Sequence, residues 1–299
     1  MAKADIAALL ALGAALFIAF GDVMHQHSAH EVTDKSLGHL GLFLELLKDR
    51  SWWLGSGISA IGFALQAAAL GLGSVLLVQA LLVTSLLFAL PISARAAHRR
   101  VSRWEWTWAA LLAAAVAVIV TVGNPTEGQS RASLDTWSLV VAVLGPILVL
   151  CVLGASRWHG TVSAVLLAFV SGALWGVFAI LTKGVVDLLG DGIWALLRSP
   201  ELYAWAAVAV AGTAWQQSSF RAGTVTASLP TMTVSEPIVA CVLSVVVLGE
   251  TLRPGERGWF ILVVAVVAML LATAALARGE AKASEPAAPP LQQSPRPAR

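Results

Sequence analysis

WWLGSGISAIGFALQAAALGLGSVLLVQALLVTSLLFALPISA, residues 52–94, contains no charged side chain and is punctuated near its middle by Gly71, Gly73 and Ser74. About 20 apolar residues at 1.5 Å rise cross a hydrocarbon core of roughly 30 Å. The stretch is therefore two membrane-spanning helices joined by a tight glycine turn, 52–72 and 74–94. A soluble domain has no place for so long an uncharged run.

On either side of it, the same length rule selects seven more segments: 6–26, 104–123, 134–154, 161–182, 202–220, 224–248 and 259–277. Nine spans, with ten as the alternative, make an all-α integral membrane bundle. Composition agrees, with 58% hydrophobic residues, 12% charged residues and a mean hydropathy of +0.81. A net charge of +2 leaves no basic footprint for nucleic acid. Cys151 and Cys241 fall in apolar runs and read as small core residues. The first segment has a weak leader, Lys3 against Asp5, and many spans follow it, so it reads as a retained helix and not a cleaved signal.

Alternating nine spans puts Lys3, Arg131, Lys183, Arg198, Arg253 and Arg257 on one side and the other thirteen of the 19 basic residues opposite. The richer side is expected to be cytoplasmic, with the 95–103 loop as the strongest anchor. This predicts a multi-pass protein of the cell (inner or plasma) membrane, N-terminus outside and C-terminus inside. Residues 279–299, with Pro286, Pro289, Pro290, Pro295 and Pro297, read as a disordered cytoplasmic tail.

Displacing the chain against itself by 150 positions aligns Gly62 with Gly212, Gln66 with Gln216, Gly73 with Gly223, Val75 with Val225, Ser85 with Ser235 and Arg103 with Arg253. Five crossings separate the two copies, so an odd count turns the second upside down. Residues 1–133 form a first membrane repeat, and 134–278 a second with an extra leading helix. Inverted repeats are typical of alternating-access transporters, whose solute site lies near the midplane. A duplication kept only for packing is the other reading.

Ionisable groups at membrane depth need a partner, a cavity or a task. Glu236 lies in the eighth span between Pro230 and Pro237, which remove backbone donors and are expected to break the helix on one face. The bland reading of Glu236 is a protonated acid bonded to a neighbouring helix. Asp22 lies near the end of the first span, either solvated or in the solute path. Gln66, Gln79, Gln216 and Ser235 are the other candidate lining groups, with interhelical glue the alternative for the amides. Lys183 is expected to snorkel to the interface. Gly172 and Gly176 form a GxxxG step for close helix approach. His25, His27, His30 and His39, with Glu31 and Asp34, have the residue types of a metal site but no tight spacing, and read as a solvated loop. Trp52, Trp53, Trp104, Trp106, Trp108 and Trp259 read as an interfacial belt. No P-loop, GxSxG, HExxH or nucleotide-binding glycine loop is present, so neither an enzyme nor ATP-driven transport is expected, and no cofactor.

The runs WWLGSGISAIGFALQAAALGLGSVLLVQALL (52–82), SGALWGVFAILTKG (171–184) and AWQQSSFRAGTVTASLPTMTVSEPIVACVLSVVVLGETL (214–252) resemble the drug/metabolite transporter superfamily, in its EamA-like and NIPA-like magnesium-transporter branch. The tryptophan pair opening the second span, the lysine closing the sixth and Gly249-Glu250-Thr251-Leu252 after the eighth carry the likeness. The resemblance implies a two-repeat bundle that moves a small solute or cation, with Glu236 and Asp22 as ligands if the cargo is a metal. The chain departs from the NIPA-like pattern at Ser218-Ser219, where that pattern has asparagine soon after the glutamine. The reading is thus a permease for a small metabolite or cation. Magnesium or divalent cation transport is the runner-up, and a non-transporting membrane scaffold the reading from another class. A homodimer is compatible with each.

Overall fold

The computed structural model describes residues 3–33, 50–96, 100–223, 225–255 and 258–284; Asp22, 25–33, 50–52, 96, 225–226 and 280–284 are described as backbone alone. The side chains of Asp22, His25, His27, His30, Glu31 and Trp52, together with Asp34, His39 and residues 285–299 of the expected tail, therefore lie outside the described residues.

Helices account for nearly all of the described chain: α1 Lys3–Thr33, α2 Arg50–Leu72, α3 Val75–Leu82, α4 Ser85–Ala96, α5 Arg103–Gly123, α6 Leu134–Arg157, α7 Thr161–Gly190, α8 Ile193–Arg198, α9 Pro200–Ala222, α10 Val225–Leu248 and α11 Gly258–Ser284. A backbone in lipid must satisfy its own polar groups, and a helix does so within one segment. Among the described residues, eight helical segments are long and apolar enough to cross a membrane. The expected seventh span is a helix too, α9, as long as α2, but Gln216, Gln217, Ser218 and Ser219 make it more polar than the other eight. The ends are set by local chemistry. Ser102 and Glu105 form a reciprocal capping box at the start of α5, and Ser199 caps α9 with Pro200 in its first turn. α11 runs past the expected end at 277 to Ser284, because Glu280, Ala281, Lys282 and Ala283 are good helix formers and the first proline comes at 286.

Two departures concern where a helix breaks. α10 carries through Pro230 and Pro237 as one helix. Each proline removes one donor, yet tight packing on α7 holds α10 together as one helix. The span at 74–94 is instead the interrupted one, divided into α3 and α4 at Val83 and Thr84. There the backbone tightens to i−3 bonds, Thr84 N to Leu81 O at 3.0 Å and Leu87 N to Thr84 O at 2.9 Å. The Thr84 hydroxyl donates to the Leu81 carbonyl at 2.5 Å.

α7 is the central helix, with 72% of the residues in its apolar 18-residue stretch buried against 11% in that of α6 at the periphery. Around it the packing repeats itself. α1 lies antiparallel on α2, and α7 antiparallel on α9; the repeat-related glycines Gly62 and Gly212 face Ile18 and Trp175 across those two pairs. Element boundaries share the displacement of 150, with α2 beginning at 50 and α9 at 200, α3 at 75 and α10 at 225.

One end of the bundle gathers the start of α3 and the ends of α2, α5, α7 and α10. Gly73 abuts Ala7, Gly184 faces Glu201 at the start of α9, and Arg131 pairs with Glu201 at 3.0 Å. A two-residue antiparallel ladder, β1 Pro125–Thr126 with β2 Thr251–Leu252, ties the chain after α5 to that before α11. Gly258 faces Val122 and Gly123 faces Leu262, so α5 and α11 pack antiparallel. At the opposite end Gly223 meets Gly160 and Ala164.

Candidate functional site

Gln66 on α2, Gln79 on α3 and Ser235 on α10 are buried, while Gln216 and Glu236 are half-buried. Gln79 is 1% exposed, and its carboxamide nitrogen has no hydrogen-bond partner among the described residues. Ser235 points into a helix crossing: its hydroxyl occupies the place of a Cβ at Gly172, and it donates to the Met232 carbonyl at 3.2 Å. The Glu236 backbone flanks the same crossing, since a Cβ at Gly176 would fall 2.9 Å from the Glu236 carbonyl oxygen and 2.9 Å from the Ala240 nitrogen. The GxxxG step thus seats α7 directly on α10, as its spacing predicts.

Two cavities lie elsewhere. One, about 330 Å³, is an apolar cleft between α6, α7 and α9, bordered by Trp137, Leu144, Leu174, Leu181 and Val208, with Glu201 at its edge. The other, about 320 Å³, opens between α1, α5 and the α3–α4 break, and is lined by Leu12, Phe88, Val116, Thr84 and Thr121. Neither includes Gln66, Gln79, Gln216, Ser235 or Glu236.

The densest polar chemistry in the described core is a pair the sequence reading did not join. Lys183 is 5% exposed and Glu250 fully buried. Lys183 Nζ donates to Glu250 Oε1 at 3.0 Å and to the Gly73 carbonyl at 2.8 Å. The lysine therefore does not snorkel. The Glu250 carboxylate and the Gly73 carbonyl just past α2 give its ammonium partners inside the bundle. Glu250 in turn accepts from Val75 N at 2.7 Å on Oε1 and from Leu76 N at 3.0 Å on Oε2. Those amides belong to the first turn of α3, which has no intrahelical acceptors for them, and Ser74 Oγ accepts the next, from Leu77, at 3.2 Å. A buried anion at a helix N-terminus is further favoured by the aligned peptide dipoles.

A second feature, an aromatic array, runs across α2, α7 and α9. Phe63 stacks on Trp175 at 6.5 Å between ring centroids, Trp175 meets Phe178 edge-on at 5.1 Å, and Phe178 stacks on Trp205 at 5.1 Å. Trp205 Nε1 donates to Thr182 Oγ1 at 2.9 Å. Trp53, Trp104, Trp106 and Trp259 are each more than half exposed, as a belt requires, but Trp108 turns partly inward. In sequence Lys183 and Glu250 are 67 positions apart. The signals available were the family likeness at the lysine closing the sixth span and at Gly249-Glu250-Thr251-Leu252, and neither pairs the two residues.

A protein of Corynebacterium glutamicum, itself uncharacterized, is 39% identical over 281 residues, covering 91% of this chain and 95% of that protein. The chain belongs to the same family. No family model matches the chain, and no solved structure matches it.

Proposed function

We propose that the protein is a secondary transporter of the drug/metabolite type, a permease that moves a small solute or cation by alternating access between two inverted halves. The observation that carries this reading is the relation between repeat-related elements. α3 begins where α10 ends, α5 ends where α11 begins, and α2 ends where α9 begins. Each pair is one position of the 150-residue repeat met in opposite senses. A twofold axis in the membrane plane lets two nearly equal conformations exchange which side is open.

In this reading Glu236 is the coupling carboxylate, and Gln66, Gln79, Gln216 and Asp22 line the path. Ser235 serves the α7–α10 contact instead. Cargo that is small and polar or cationic fits the amide-rich set better than a bare divalent ion does. The one fully buried carboxylate among the described residues, Glu250, is already neutralised by Lys183. The ends also support the expected topology: Lys183, Arg131 and Arg253 share one end, away from the Arg95 and Arg103 loop. That end would face outward.

Reconstituted flux of candidate solutes, compared between wild type and Glu236→Gln, tests the assignment. Loss of flux or of its pH dependence in the variant is expected. Unchanged flux and pH dependence would remove Glu236 from the mechanism.

A further inference from the structure

Glu250 and Lys183 sit where helix ends from both halves converge. Gly73 closes α2 and Val75 opens α3 in the first half; Lys183 on α7 and Glu250 after α10 belong to the second. Between Gly73 and the break at Val83 and Thr84, α3 is an isolated helix of eight residues, Val75–Leu82, almost wholly buried. It is held at its outer end by side chains of the other half and at its inner end by a tightened turn, where i−3 bonds replace the regular ladder.

We propose that the Lys183–Glu250 pair is the latch of a gate, closing this end of the bundle by clamping α3 onto α7 and α10, and that the end opens when the pair separates and α3 swings about Val83 and Thr84. The proposal rests on the transport reading. Its physics lies in the type of fastening. Apolar side chains of the same volume would hold the helices at least as firmly, since desolvating two charges consumes most of their attraction. Charges differ from them once the contact is open. Lysine, carboxylate and the two α3 amides are all strongly hydrated when water or a polar solute reaches them, which lowers the cost of the open state. The closed state, in turn, is directional: Glu250 satisfies Val75 N, Leu76 N and Lys183 Nζ together, and a small displacement loses all three. Such a fastening is all-or-none, as a gate between two states requires.

The test reads the exposure of α3 directly. Val78, fully buried one turn inside the clamped amides, is replaced by cysteine in a full-length protein carrying Cys151→Ala and Cys241→Ala. Labelling by a hydrophilic maleimide is then measured over time in detergent. The rate is compared among the unlatched Glu250→Gln variant, a Lys183→Met/Glu250→Gln variant that leaves no lone buried charge, and the parent. Leu112→Cys, fully buried in the middle of α5, reports general loosening.

Labelling at position 78 is expected to rise about tenfold or more in Glu250→Gln, which leaves Lys183 buried without its carboxylate, and to stay at or below the parent rate in the double variant, while position 112 stays protected. An unchanged rate at 78 in Glu250→Gln overturns the latch, and so does a rise in the double variant equal to that in Glu250→Gln or a parallel rise at 78 and 112. Because labelling needs no solute, the two readings fail separately. Glu236-dependent flux with unaltered labelling leaves the transporter standing without this gate. Opening at 78 with no flux of any solute removes the transporter and keeps the latch as a hinge clamp.

Discussion

Gln79 is the residue whose surroundings ask most plainly for something more than packing. A buried amide left unpaired costs about 1–3 kcal/mol, and its Nε2 has no partner among the described residues. Gln79→Leu, of similar volume, is therefore expected to raise the unfolding temperature in detergent by the equivalent of about 1 kcal/mol and to depress flux. A variant no more stable than wild type would mean that the amide is already satisfied in the resting protein, and its place in the solute path would lose its support. Glu236 and Gln79 were legible as candidates because a polar group in an apolar run is conspicuous. Glu250 was legible only as part of a short helix-ending motif. Its role depends on Val75 N and Leu76 N, whose need for an acceptor exists only once α3 starts there.

Among the helices, the α7–α10 crossing shows what the GxxxG spacing is for. Val239 and the backbone of Glu236 and Ala240 lie where a side chain at Gly176 would go. Because those atoms are mostly backbone, they cannot rotate away as a side-chain tip would. Gly176→Ala is expected to cost about 1–3 kcal/mol, read as a lowered midpoint of thermal unfolding. An unchanged midpoint would mean that the two helices do not meet at this separation. The same packing explains why the prolines of α10 do not break it, whereas the α3–α4 span parts without a proline at the break. Proline spacing marks where a helix loses a donor; neighbouring helices decide whether the coil gives way. Helix positions themselves were close to legible, since length in lipid is imposed by bilayer thickness, and even α9 ran over the expected residues with a polar face.

Across the bundle as a unit, the two ends carry opposite halves of the charge pattern, and sidedness can be measured directly. A cysteine at exposed Glu127, beside the β1–β2 ladder, is expected to react with a membrane-impermeant reagent in intact cells; one at exposed Arg100 should react only after permeabilisation. The reverse pattern would invert the topology and move the Lys183–Glu250 end to the cytoplasm.

From the sequence alone came the apolar, membrane-spanning character of the helices and their approximate limits, because each depends on hydropathy summed along the chain. Which charges meet, which helix yields and which polar groups stay alone were decided only by the tertiary structure. Those outcomes turn on contacts between residues tens to hundreds of positions apart, and no local pattern encodes the distance between two helix ends.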